Sequence, residues 1–332
     1  MPPVFAWRQN GDSMLRTVYM LNAWGMIQEE LEGGKFGQFV FENNEIKIIY
    51  PYVKRFAGTV HGKDYYDLVT PRGECGPFIE KGEENIGNHI RGFSNALKAY
   101  CADENIIAEY VKFDPWNNNR EFCKDIYHIE THGQNFSIPL QEDFLYTQIH
   151  ADKRNQIRRA AKKGAKVELE ASWDRIQEFL DVYRFTVEKN NVSSYYFLNA
   201  EYLEKYKRLL GDKAMLSFGY LDGRTAACAL TVATEDVCNG IFCASDPACG
   251  NINVMSLLYY NIAVYYSNKG CKYMDMGGAI DGSGLERFKK TFVSEEQWHK
   301  CYIGTAIRNK EIYDKLVEQR GGPHIGYFPE YR

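Results

Sequence analysis

Short runs of β-branched, aromatic and small apolar residues, broken by turn dipeptides, fill two stretches of the chain and predict strands; longer stretches with apolar residues three and four apart predict helices. In the second half, residues 214–220 read as a strand, Asp222-Gly223 as a tight hairpin, and 226–233 and 237–243 as the next two strands. A helix over 253–268 follows, with Val254, Leu258, Ile262 and Tyr265 on one face and Gly270 as its stop. The strand 272–276 then runs into Gly277-Gly278. The first half repeats that order: strands over 36–42, 45–50 and 65–70, a helix over 88–101, and a strand over 105–113. Both halves therefore read β-β-β-α-β, and both fourth strands end at an aspartate, Asp114 and Asp275. This is the pattern of a tandem duplication of one α/β unit.

Between the halves, 143–163 predicts one long helix ended by Gly164, followed by a strand over 166–170 and helices over 173–189 and 200–210. A short amphipathic helix over 309–320 stops at Gly321-Gly322-Pro323. A length of 332 residues fits two domains. We place the first at 1–150 and the second at 151–306.

Composition changes this picture little, apart from aromatics. Hydrophobic residues are 45% and charged residues 25%, an ordinary globular balance, but 24 of the residues are Tyr. Tyr suits both large cores and surfaces that receive sugars, nucleotides or peptides. A net charge of −4 gives no drive toward DNA. No apolar run of about 18 residues predicts a membrane span, and no leader pattern opens the sequence, so the expectation is a cytoplasmic protein. Nine Cys lack any Cys-x-x-Cys pair, so no metal site is expected. Cys75, in the turn Pro71-Arg-Gly-Glu-Cys-Gly-Pro77, is the one thiol whose setting allows a nucleophile, with no His nearby in sequence to activate it.

Three segments carry candidate chemistry. Within 153–163, Arg154, Arg158 and Lys162 stack on one helical face with Arg159 and Lys163 beside them, which serves either as a solvated face or as a cradle for phosphates. In 282–292, Phe288 and Phe292 lie one helical turn apart as core anchors and set Lys289 beside a packed wall, where an ammonium can stabilise a developing oxyanion. The strand from Tyr65 runs into a turn with Arg72 at its tip, a place for a ligand or a plain structural turn. P-loop, nucleophile-elbow, zinc-protease and dinucleotide fingerprints are absent from the sequence.

Taken in order, Tyr66-Asp-Leu-Val-Thr-Pro-Arg-Gly-x-x-Gly-Pro77, Arg154-Asn-x-Ile-Arg-Arg-Ala-x-Lys-x-Gly164, Met276-Gly-Gly with Leu285-x-x-Phe-Lys289, and Ile307-x-Asn-x-x-x-Tyr-x-x-Leu316 resemble the Fem-type acyltransferases, a branch of the Gcn5-related N-acetyltransferase (GNAT) superfamily. The resemblance covers nearly the whole chain. It implies an α/β fold with mixed sheets, arranged as two tandem GNAT-like domains, with 307–332 returning to join the first. It also implies N-acyl transfer, from acyl-CoA or aminoacyl-tRNA, to an amine on a nucleotide- or lipid-linked cell-envelope or polysaccharide precursor. No resident cofactor is implied. The long coiled-coil arm of some members has no counterpart here. The turn Asp246-Pro-Ala-Cys-Gly250 also departs from the phosphate-gripping turn of ordinary acetyltransferases, offering one Gly and an Asp that repels phosphate.

By this resemblance Lys289 stabilises the tetrahedral intermediate. Asp114, in Phe113-Asp114-Pro115, orients or deprotonates the amine, or is simply an Asp-Pro turn. Arg72, Arg154 and Arg158 are the expected phosphate contacts and Tyr66 a substrate contact. Tyr195 and Tyr196 stack on a sugar or base, or pack in the core. The competing readings are an inactive glycan- or nucleotide-binding protein and a tRNA-binding module on the same fold.

Overall fold

A computed structural model describes residues 14–82, 87–141, 143–190 and 198–332. Its elements in chain order are α1 (Asn22–Glu32), β1 (Gly34–Glu42), β2 (Lys47–Val60), β3 (Lys63–Val69), β4 (Phe78–Lys81), α2 (Gly87–Asp103), β5 (Ile106–Lys112) and α3 (Arg120–Cys123). There follow β6 (His128–Pro139), α4 (Phe144–Thr147), α5 (Ala151–Lys162), β7 (Lys166–Glu168), α6 (Ile176–Asn190), α7 (Ala200–Leu210), β8 (Ala214–Leu221), β9 (Arg224–Ala233) and β10 (Val237–Ser245). The last are α8 (Val254–Asn268), β11 (Tyr273–Ala279), α9 (Gly284–Lys290), β12 (Trp298–Ile307) and α10 (Lys310–Arg320).

The described residues divide into two compact units, one made of 14–15 with Tyr19–His132 and Lys300–Arg332, the other of Arg16–Val18 with Gly133–His299. The sequence set the boundary at 150, whereas residues 133–150 fall in the second unit, because the 134–139 stretch of β6 pairs with β11. A strand is assigned by the partner that satisfies its backbone, and that partner lies far along the chain.

Each unit is mixed α/β and built on the repeat. In the first, the strand order is β1-β2-β3-β5-β12, antiparallel except for the parallel β3–β5 pair. In the second, the order is β6-β11-β10-β9-β8-β7, antiparallel except for the parallel β10–β11 pair. A parallel neighbour needs a long crossover, and the stretches containing α2 and α8 supply it in the two units. Helix α2 buries Phe93, Leu97 and Cys101 at four-residue spacing against Tyr50, Val111 and Phe113. Helix α8 lays Leu258 and Ile262 onto Ile138, Cys238 and Met274. In the first unit α10 returns to the sheet, packing Ile312 and Leu316 with Val60 and Ile107.

The expected long helix over 143–163 is two helices, α4 and α5, interrupted at 148–150. Helix α5 turns Lys153, Ile157 and Ala160 inward and leaves Ala161 exposed. Much of the Tyr surplus is core: Tyr50, Tyr206 and Tyr313 are among the largest fully buried side chains. Tyr195 and Tyr196 lie outside the described residues. No helix among the described residues is long and apolar enough to cross a membrane.

Candidate active site

The parallel β10–β11 pair is where the second sheet opens. The two strands pair at Val237–Tyr273, Cys238–Met274 and Asn239–Asp275, and the ladder ends there although β10 continues to Ser245 and β11 to Ala279. Irregularities fall at the same level: between Gly240 and Phe242 on the β9 side, and between Asp275 and Gly278 on the β6 side. Such bulges bend a strand and redirect it. The result is a wedge between two parallel strands, whose facing backbone groups beyond the vertex are no longer joined to each other in a ladder. An extended, amide-bearing group can occupy such a gap by completing the missing pairing.

The first unit closes the same place. Beyond the β3–β5 ladder, Thr70 donates its N–H to the Tyr110 carbonyl at 3.0 Å, and its hydroxyl accepts from Lys112 N–H at 3.0 Å. Cys75 then bridges to Phe113 in parallel. The turn residues of 70–77 fill the position that stands open in the second unit. This turn holds the expected Arg72. Its carbonyl accepts from the Trp24 indole N–H at 2.6 Å, and Gly73, at φ 103°, lies so close under the Tyr19 ring that a Cβ there would collide with it. Cys75 is 1% exposed, and burial pushes its thiol well above the ordinary range, so it is a packed core thiol.

Asp114 sits beside that turn. Its carboxylate accepts from the N–H of Trp116 at 2.8 Å, the N–H of Asn117 at 2.9 Å and the Asn117 side chain at 2.9 Å. Asn119 ties the two turns together by donating to the carbonyls of Cys75 and Pro77. These bonds give Asp114 an anchoring job in its own turn, as the Asp-Pro turn reading expects. Tyr66 is partly buried on β3, with the Lys54 ammonium 4.4 Å from its ring centre and Phe56 edge-on.

In the second unit, Lys289 lies on α9. Ser283 caps this helix by accepting from Glu286 N–H at 3.1 Å, while Glu286 accepts from Gly282 N–H at 2.7 Å, a reciprocal cap that fixes the helix start. Phe288 and Phe292 pack against each other and against Tyr259 of α8. Held in this way, Lys289 is 4% exposed and donates to the Gly278 carbonyl of β11 at 2.6 Å. Gly277, with φ 73°, adopts the left-handed conformation that favours glycine, and its Cα side faces the Lys289 Nζ, which a Cβ there would meet at 3.7 Å. On the opposite wall, burial raises the Cys243 thiol, and the Tyr259 hydroxyl and the Lys289 charge pull it back down.

The expected phosphate contacts on α5 divide. Arg154 donates to the Ile149 carbonyl at 2.5 Å and lies over the Tyr146 ring, which makes it a clamp on the α4–α5 junction. Arg158 is exposed and reaches Asn155 at 3.3 Å. Lys153, which the sequence left within the charge run, is 3% exposed. It donates to Ser256 at 3.1 Å, and its ammonium lies 4.5 Å from the Phe288 ring centre and 5.0 Å from that of Phe292. It forms no ion pair among the described residues. Burial lowers its pKa from 10.5 to about 8. A lysine with a depressed folded pKa costs stability below about 8, and that cost fades as the pH rises toward 10.5, because the unfolded chain binds the extra proton over that window. We expect Lys153→Met to be more stable than wild type at pH 7, with an advantage that shrinks by pH 10. Urea midpoints at the two pH values check this.

Residues 151–290 match the family model described as Acetyltransferase (GNAT) domain. That match identifies residues 151–290 as a GNAT acyltransferase domain, and such domains use acyl-CoA as co-substrate. Among solved structures, the chain is similar to FemX, with TM-score 0.70 and 14% identity over 92% of this chain and 95% of that one. It is similar also to a conserved protein of unknown function from Bacteroides thetaiotaomicron, with TM-score 0.57 and 13% identity over 86% and 90% of the two chains. A third is the C-terminal domain assigned to a lysylphosphatidylglycerol synthetase from Agrobacterium fabrum, with TM-score 0.54 and 16% identity over 90% and 93%. No curated protein matched the sequence.

Proposed function

We propose that the chain transfers an acyl or aminoacyl group to an amine on a cell-envelope or polysaccharide precursor, a peptidoglycan peptide or an amino sugar, by direct attack through a tetrahedral intermediate. The observation that carries this reading is the wedge at the Asn239–Asp275 vertex with the Lys289 ammonium at its wall. A thioester or ester carbonyl lodged there would develop negative charge beside a buried cation, the arrangement that favours an oxyanion over its ground-state carbonyl. No covalent enzyme intermediate is needed, and none of the thiols with a stated shift is lowered toward a thiolate.

The choice of acceptor draws support from the fold shared with FemX and with the lysylphosphatidylglycerol synthetase domain. For the donor, the family match favours acyl-CoA. Aminoacyl-tRNA is the second reading, favoured by Arg158, Arg159, Lys162 and Lys163, all exposed on or next to α5. Mass spectrometry of peptidoglycan-peptide and amino-sugar acceptors, incubated with the protein and either acetyl-CoA or aminoacyl-tRNA, tests both. A mass increase equal to the acyl group on the acceptor is expected from one donor. No increase from either donor favours the inactive binding module.

A further inference from the structure

At the vertex of the wedge lies a row of polar side chains that the sequence did not bring together. Asp275 is the register partner of Asn239 on one side and of Ser137 on the other, so the three lie on one face of β10, β11 and β6. All are at most 1% exposed. Asn239 donates its amide N–H to Asp275 at 2.8 Å, and Asp275 also accepts from Gly277 N–H at 2.7 Å and from Asn135. An ionised carboxylate can only accept, which fixes the orientation of the Asn239 amide. Its other end, Oδ1, is fully buried and has no hydrogen-bond partner among the described residues. Leaving a buried acceptor unpaired is costly, so the site asks for a donor that the described residues do not supply.

We infer that Asp275 and Asn239 seat the attacking amine: Asn239 Oδ1 accepts one amine N–H, and Asp275 takes the proton that the nitrogen sheds. This rests on the wedge being the site of acyl transfer. As the nitrogen bonds to the acyl carbon, the carbonyl becomes an oxyanion near Lys289. When it collapses, the bond to sulfur or ribose oxygen breaks and the electron pair leaves with that atom. The proton moves from nitrogen to Asp275 and on to the leaving thiolate or alkoxide, so amine plus acyl donor gives amide plus thiol or alcohol.

The surroundings tune the carboxylate for this task. Burial raises the pKa of Asp275, while its bonds to Gly277, Asn239 and Asn135 and the charge of Lys289 oppose that rise. The other titratable groups facing it are Tyr259 of α8 and Cys238 of β10, both raised by burial and hence neutral. His299, bonded to Ser137 at 2.9 Å, has its pKa lowered by burial. Gly240, next to the vertex on β10, leaves space where a Cβ would meet the Asp275 carbonyl at 3.4 Å.

The test compares Asp275→Asn with the exchange variant Asp275→Asn plus Asn239→Asp, which keeps one carboxylate and one amide across the vertex but moves the carboxylate to β10. For Asp275→Asn we expect kcat/KM for the amine acceptor to fall about 100-fold or more, with loss of the acidic limb of the pH–rate profile. The exchange variant should recover the melting temperature but not the rate. If Asp275→Asn keeps the wild-type rate and acidic limb, or if the exchange restores rate and stability together, the pair is structural and the inference is overturned. A wild-type protein that transfers no acyl group from either donor overturns the acyl-transfer reading instead, and this assignment with it.

Discussion

Replacing Lys289 by Met is expected to lower kcat for acyl transfer about 100- to 1,000-fold, the loss typical of removing one preorganised oxyanion donor. The side chain is 4% exposed, and Met fills a similar volume between Gly278 and the Phe288–Phe292–Tyr259 cluster, so the unit should still fold. KM for the donor should change little, because the ammonium matters most when charge has developed on the carbonyl oxygen. Removing the cation also takes away one influence that holds down the pKa of Asp275, so the acidic limb of the pH–rate profile should move to higher pH. Steady-state rates across pH for wild type and Lys289→Met read both effects. A variant with the wild-type kcat would remove Lys289 from the chemistry.

The largest expected effect on stability is at Asp67 of β3. This carboxylate is completely buried and gathers Arg55 at 2.6 Å, the Arg332 guanidinium at 2.7 Å and the Tyr331 hydroxyl at 3.0 Å. Arg55 is its register partner on β2, while Tyr331 and Arg332 come from beyond α10, so one anion ties the last residues to the centre of the first sheet. Asp67→Ala removes the only carboxylate that the described ion pairs give Arg55 and Arg332, and leaves Arg55, itself 8% exposed, as a buried charge. Breaking a buried pair from one side costs about 3–5 kcal/mol. The first unit's urea midpoint should fall accordingly, whereas an exposed pair such as Lys310–Asp314 should contribute under about 1 kcal/mol when removed. An Asp67→Ala midpoint equal to that of wild type would show that the pair contributes nothing.

Several features of this molecule are legible along the chain because they depend on neighbours in sequence. The hairpins at 43–44 and 222–223, the apolar faces of α2 and α8, and the repeated β-β-β-α-β order follow from turn chemistry and periodicity. Lys289 was legible too, since the four-residue spacing of Phe288 and Phe292 sets which way the helix between them turns. The two strand-end aspartates proved alike in one local respect: Asp114 and Asp275 each accept the N–H two residues ahead. Asp114 also accepts from the Asn117 side chain in its own turn, while Asp275 also accepts from Asn239 and Asn135 on neighbouring strands.

What the amino-acid order determined by itself is the set of elements, their duplication and the local placement of individual side chains, all governed by contacts a few residues apart. Only the tertiary structure decided which copy of the repeat is open. The residues of 70–77 stitch the first unit's parallel pair shut, and the β10–β11 ladder stops at Asn239–Asp275. It also decided that Ser137, Asn239 and Asp275 share one row, and that Lys153 faces Phe288 and Phe292 instead of water. Strand register and burial join residues more than a hundred positions apart. No periodicity records where a ladder ends, because that is set by bulges and by the competition among several strands for the same backbone hydrogen bonds.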